Sequence, residues 1–181
     1  AQKEKETDKN VYTILQLRLH PSIIKLKEKI EKSSRKNHKI VLNYTTPRGS
    51  WYHYSWKGDF EKSGGIATNI GIHFFDMLMW IFGGVKNSYV ESHTNMKANG
   101  YLELERADVD WNLSIDCRDL PHDEWKPFRS ITVDGDEVEF SDGFTDLHTE
   151  SYKQILNGNG FGINDAIPSL ELVHQIRNSK T

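Results

Sequence analysis

The sequence predicts an α+β domain: an open, mostly antiparallel sheet of about six strands with helices on one face. Three observations carry this. Short segments of period-two alternation cluster between residues 88 and 140. Helical periodicity flanks them on both sides. No Gly-x-Gly-x-x-Gly follows a first strand, so no dinucleotide fold is visible in this chain.

Residues 1–10 (AQKEKETDKN) are polar throughout and predict a linker or frayed end. Residues 11–19 (VYTILQLRL) alternate and predict a strand. Pro21 then opens a helix to about Ser34, with Ile23, Leu26 and Ile30 as its apolar stripe. Residues 39–44 predict another strand, and strand–helix–strand suggests a crossover unit. Residues 45–63 (TTPRGSWYHYSWKGDFEKS) predict an irregular loop that is too aromatic for a bland connector. A helix apolar on nearly every side follows Gly64-Gly65 and runs to Phe82, where Gly83-Gly84 can cap it.

Residues 88–95, 101–106 and 108–116 predict consecutive strands. In the third, Val109, Trp111, Leu113 and Ile115 face one way, and Asp110, Asn112, Ser114 and Asp116 the other. Residues 129–133 and 137–140 flank Asp134-Gly135, a hairpin turn. Two closing helices are expected at about 145–157 and 165–179. Asn164 or Asp165 would cap the second, leaving Pro168 in its first turn.

The 181 residues suit one domain with a sizeable core, residues 11–181. A net charge of −3 argues against a general nucleic-acid binder. The lone cysteine, Cys117, permits no intrachain disulfide and no multi-cysteine zinc site; it reads as a small core residue and fits a reducing cytoplasm. No apolar run approaches membrane-spanning length, because Asn69, His73 and Asp76 interrupt the longest, so no membrane partner is expected.

Those three residues are the first functional candidates. Spaced i, i+4, i+7, they share a helical face. A histidine held on a buried helix can exchange a proton near neutral pH. Asp76 can orient the imidazole or simply accept a hydrogen bond from a loop. A core histidine bonded to Asn69 or to backbone would leave the same pattern, and Asn69 also suits a helix cap. A metal at His73 and Asp76 lacks a third ligand of convincing spacing. Arg48 and Lys57 offer donors to phosphate or carboxylate, and Trp51, Tyr52 and Trp56 offer flat faces to a sugar or base. Those aromatics equally suit the edge of a core. Arg18 and His20 form a third candidate at the end of the first predicted strand. The GNGFG run at 158–162 follows a helix and reads as a cap and loop.

Gly64, Gly65, Asn69, Gly71, His73, Asp76, Trp80 and Gly83 stand in a register that resembles the C-terminal domain of the Gfo/Idh/MocA oxidoreductase family. That pattern is a Gly-Gly, a polar residue, Gly-x-His-x-x-Asp on a helix, then Trp-x-x-Gly. Residues 150–179 also resemble the family's last two helices. Many members carry Asp where this chain has Asn69. The segments TILQLRLHP, TPRGSWYHYSWKGD and SGGIATNIGIHFFDMLMWIFG look like a branch that acts on UDP-N-acetylglucosaminuronic acid in lipopolysaccharide biosynthesis.

The resemblance implies an NAD-dependent oxidation of the sugar 3-hydroxyl, with His73 as the proton-transfer residue. It implies substrate binding by Arg18, His20, Arg48, Trp56, Lys57, Thr68 and Asn69. It places NAD mainly on an N-terminal Rossmann domain, absent from these residues along with the family's Glu-Lys-Pro motif, so this piece alone should lack catalysis. It also implies a homo-oligomer formed through the sheet face. Two other readings compete: a non-catalytic binding and assembly module, and a dehydrogenase of a free sugar or cyclitol, which would need no Arg48 and Lys57 clamp.

Overall fold

Alternation at period two decides the inner face of the central strand: Ile40, Leu42 and Tyr44 turn inward while Lys39, Val41 and Asn43 turn out. A computed structural model describes residues 2–121, 125–138 and 146–179. In chain order the elements begin with α1 (Gln2–Thr7), α2 (Pro21–Glu31), β1 (His38–Thr45), α3 (Ser50–Tyr54), α4 (Phe60–Ser63) and α5 (Ile72–Phe82). The strands β2 (Val85–His93), β3 (Lys97–Leu104), β4 (Ala107–Ser114), β5 (Phe128–Val133) and β6 (Asp136–Glu137) follow, then α6 (Leu147–Leu156) and α7 (Ile163–Arg177).

Among the described residues six strands form one sheet, in the order β2-β3-β4-β1-β5-β6. Every pairing is antiparallel except β1 with β4, where Leu42 lies opposite Trp111. The open, mostly antiparallel α+β sheet expected above is therefore present. Its inner face carries Val109, Trp111, Leu113 and Ile131, packed in one core with Phe74, Phe75, Leu78 and Phe82 of α5. The Phe75 and Trp111 rings meet edge to face at 5.2 Å. Full burial of a side chain such as Phe75 contributes roughly 1.5–3 kcal/mol. The outer face stays polar, with Asn43, Asp110 and Asn112 side by side.

α5 grows out of a π-helical turn at Ala67–Gly71. Gly64 and Gly65 precede it with φ of 74° and 77°, a left-handed pair that an L side chain would resist. At Gly64 an added Cβ would also meet Thr68 at 2.7–2.9 Å. The helical run 60–82 is in fact long and apolar enough to cross a membrane by length and composition, contrary to the expectation above. Most of it is buried within the fold, so it serves as the core helix of the domain.

Further expectations are corrected. Residues 11–19 are not a strand. Tyr12 makes a single bridge to Gly162 and the Thr13 amide donates to the Phe161 carbonyl at 2.8 Å, after which Gln16–Leu19 coil into a 3₁₀ turn. That turn buries Leu17 and Arg18 together, which an alternating strand on a one-sided sheet cannot do. The crossover unit expected there disappears with the strand.

The aromatic loop is partly helical. Asp59 caps α4 by accepting from the amides of Glu61 and Lys62 at 3.0 and 3.3 Å. α7 starts two residues early: Gly162 is its N-cap, and Asp165 reaches back to accept from the Gly162 amide at 2.8 Å. Pro168 consequently sits inside the helix rather than in its first turn. Cys117 is exposed, in a 3₁₀ turn beyond β4, not a core residue.

Residues 2–7, expected as part of a frayed end, form the exposed helix α1. Asp134 and Gly135 take φ of 58° and 91°, the left-handed pair of a tight hairpin. Of the elements expected there, residues 139, 140 and 145 lie outside the described residues.

Candidate active site

The π turn determines how the polar face of the motif helix is aimed. It widens the helix by one residue just before α5, and such insertions recur where a helix must redirect side chains. Asn69 sits within it, and its amide donates to the Tyr52 hydroxyl at 3.0 Å. His73 follows in the first turn of α5. Burial pushes the His73 imidazole below its ordinary range; the Asp76 carboxylate pulls the other way, and His148 adds to the depression. The net result is a neutral ring near pH 7, a competent proton acceptor.

Asn69, Ile70, His73 and Phe74 form one wall of a cleft of about 240 Å³. Gln16 and Leu17 come from the 3₁₀ turn, Tyr44 from the end of β1, Arg48 from the segment after it, and Arg129 from β5. The Arg48 amide donates to the Ile115 carbonyl at 3.3 Å, so the continuation of β4 anchors its backbone. Its guanidinium lies 5.8 Å from the Tyr52 ring centre, and its Nε is buried with no hydrogen-bond partner. Arg129 lies 5.5 Å from the Tyr44 ring centre. Two cations flanking a neutral imidazole suit an anionic ligand with an ionisable hydroxyl.

The structure thus brings together three of the residues singled out from sequence: Arg48, Asn69 and His73. Tyr52 stands behind them, bonded to Asn69 and beside Arg48, and the rest lie elsewhere. Arg18 forms a bidentate pair with Asp76, Nη2 to Oδ1 at 2.7 Å and Nε to Oδ2 at 2.9 Å, and also reaches Asp165. Burial pushes the Asp76 carboxyl upward, against the pull of Arg18. Asp76 therefore meets His73 only through its field. His20 caps α2, its Nδ1 accepting from the Ser22 amide at 3.2 Å. The Thr68 hydroxyl donates to the Gly64 carbonyl at 2.8 Å. Trp56 is exposed, with the Lys57 ammonium 5.9 Å from its ring centre, and neither lines the cleft.

Sequence reasoning missed Gln16, Tyr44 and Arg129. Tyr44 carried a signal as the last inward position of β1. Gln16 was concealed by the strand assigned to residues 11–19. Among the described residues, no three His, Cys, Asp or Glu side chains group as metal ligands.

This architecture and cleft define a class of protein. A family model described as "Oxidoreductase family, C-terminal alpha/beta domain" matches residues 38–110, from β1 through the motif helix into β4. The chain belongs to that Gfo/Idh/MocA family. Among solved structures, the WlbA (WbpB) dehydrogenase from Thermus thermophilus in complex with NAD and UDP-GlcNAcA is 47% identical with a TM-score of 0.93, over 99% of this chain and 59% of that one. The same dehydrogenase with NAD and alpha-ketoglutarate gives 48% and 0.94 over the same shares. The WlbA dehydrogenase from Bordetella pertussis with NADH and UDP-GlcNAcA is 19% identical with a TM-score of 0.71, over 94% of this chain and 60% of that one, a likeness of fold. The chain spans about 59% of the length of the Thermus relative.

Proposed function

We propose that residues 11–181 are the substrate-binding and oligomerisation part of an NAD-dependent dehydrogenase that oxidises the 3-hydroxyl of UDP-N-acetylglucosaminuronic acid. The observation that carries this reading is the half-buried His73 in a cleft lined also by Arg48 and Arg129. The 47% identity to a dehydrogenase solved with NAD and UDP-GlcNAcA supports the choice of substrate.

His73 takes the hydroxyl proton as the carbon is oxidised. A bound nicotinamide supplies the hydride-accepting chemistry. Arg48 and Arg129 hold the anionic groups, and Asn69, fixed by Tyr52, hydrogen-bonds the sugar. Arg18 and Asp76 act indirectly, by holding the helix that carries His73. Trp56 and Lys57 lie outside the cleft, on a surface suited to the nucleotide end of the ligand.

The GNGFG run at 158–162 does not fit a dinucleotide. Its glycines are taken up by structure: Gly158 ends α6 with φ 79°, a Cβ on Gly160 would meet Tyr12 at 2.7 Å, and Gly162 caps α7. We therefore assign cofactor binding to a further part of the protein, as the relatives' greater length supports. The second Thermus complex, with alpha-ketoglutarate, supports a dicarboxylate as an alternative occupant of the same two-cation cleft. A cytoplasmic site of action suits the substrate. The polar outer face of the sheet is the candidate contact between copies.

The test is His73→Ala in the complete enzyme, assayed for NADH formation with the UDP-sugar acid. Turnover should vanish while the circular dichroism spectrum is kept. Near-normal rates would remove His73 from the mechanism. A titration of UDP-N-acetylglucosaminuronic acid against free sugars decides the substrate class, because an uncharged ligand gains little from Arg48 and Arg129. Equal affinities would favour the free-sugar reading.

A further inference from the structure

Two polar atoms beside the cleft lack partners, and they are of opposite kind. Gln16 Oε1 is a buried acceptor with no donor; Arg48 Nε is a buried donor with no acceptor. Both residues line the cleft that holds His73. Native interiors rarely leave such atoms unmatched, because each costs the full desolvation of its group. The two are not matched to each other. Gln16 sits on the 3₁₀ turn, whose neighbours Leu17 and Arg18 are buried, Arg18 clamped to Asp76. The backbone carrying Gln16 is therefore held firmly at the cleft wall.

We propose that Gln16 is a specificity-determining residue, whose amide oxygen accepts a hydrogen bond from an N–H or O–H of the substrate while Arg48 Nε donates to one of its oxygens. This rests on the reading of the cleft as a sugar-nucleotide site. It adds a demand that the two arginines do not make: the ligand must carry a donor as well as negative charge. A site built to satisfy a ligand's donor rejects analogues that lack it, because its own acceptor then stays unmatched. Sugar acids with an amide or ring hydroxyl meet that demand. A dicarboxylate with no N–H or O–H does not.

The experiment uses the complete enzyme with its cofactor and compares wild type with Gln16→Met, a swap of similar shape without the acceptor. Three quantities are read: the KM and kcat for UDP-N-acetylglucosaminuronic acid, the Kd of alpha-ketoglutarate, and the thermal midpoint. The expected result is a KM raised about 5- to 10-fold, as for one lost hydrogen bond. The alpha-ketoglutarate Kd should stay within about twofold, and the midpoint should hold or rise because an unmatched acceptor has gone.

An unchanged KM in a folded variant overturns the proposal and leaves the sugar-nucleotide reading standing. Equal weakening of both ligands overturns it too, because the residue would then shape the cleft rather than read a donor. A fall in midpoint shows a structural role and also counts against it; Gln16→Leu repeats the comparison if methionine is not accommodated. Wild-type enzyme that fails to bind the UDP-sugar removes the underlying reading and the proposal together.

Discussion

Arg18 and Asp76, 58 residues apart, close a bidentate ion pair that ties the 3₁₀ turn to the helix carrying His73. Side-chain exposures of 9% and 4% place it in the interior. The backbone carbonyl of Asp165 accepts a third bond from the same guanidinium at 3.1 Å, so α7 joins the tie. One cation thus sets the spacing of three elements around the cleft.

Removing that cation leaves Asp76 buried and unmatched. Arg18→Met should cost about 3–5 kcal/mol of unfolding free energy, read from urea denaturation. Lysine should not rescue it, because an ammonium cannot make the two-pronged contact. Adding Asp76→Leu to Arg18→Met should recover most of the loss, since no charge is then stranded. A single variant within 1 kcal/mol of wild type, on the order of a surface pair, would show that the pair is solvated in solution.

His73 titrates below the unfolded value of about 6.5. Between the folded and unfolded values the unfolded chain binds more protons, so stability rises with pH there. The contribution of the neutral ring is complete above about pH 6.5 and is lost as pH falls toward the folded value. His73→Gln should flatten that part of the stability-against-pH curve. In the complete enzyme the acid limb of kcat/KM should lie below pH 6.5. An acid limb above that value would show that Asp76, rather than burial, governs the ring.

Gly71 ends the π turn where the helix meets β4. A Cβ there would lie 2.7 Å from Leu113 Cδ1 and 2.8 Å from Phe75 Cε2. Alanine improves helix propensity by about 1 kcal/mol, but overpacking a fixed core costs about 1–3 kcal/mol. Gly71→Ala should therefore lower the thermal midpoint. A rise would mean that the two neighbours move aside freely.

The outer sheet face exposes Val41 and Tyr89, 42% and 64% accessible, among Asn43, Asp110 and Asn112. If copies associate there, Val41→Glu should halve or quarter the sedimenting mass without changing the far-ultraviolet spectrum. An unchanged mass would move the contact to another surface.

Much of the fold was legible because β1 and β4 keep strict alternation, and a one-residue slip would expose their whole inner row. The motif helix was legible because it is apolar nearly all round. Residues 11–19 misled because Leu15 and Leu17 keep strand spacing while the turn buries Arg18 beside Leu17. Asp76 and Asp165, both far along the chain, make that burial tolerable. The same distance explains why Asp76 was paired with His73, its helical neighbour. Arg129 and Gln16 reach the cleft through tertiary placement alone, with no local pattern to mark them. Pro168 was placed too early because Asp165 caps from within the helix rather than from its first position.

The single parallel pairing has a consequence for how this cleft can diversify. β1 and β4 end on the same side, and their continuations run together: the Thr46 amide donates to the Ser114 carbonyl at 2.8 Å and the Arg48 amide to Ile115. Arg48 is thus moored before the aromatic segment begins, and Asp59 closes that segment with a helix cap. Between the two moorings Tyr52 stays fixed in the core, while the exposed Trp51, Tyr54 and Trp56 belong to an interchangeable cassette. Insertions or deletions there would alter what approaches the cleft from above while the arginine beside His73 stays where it is.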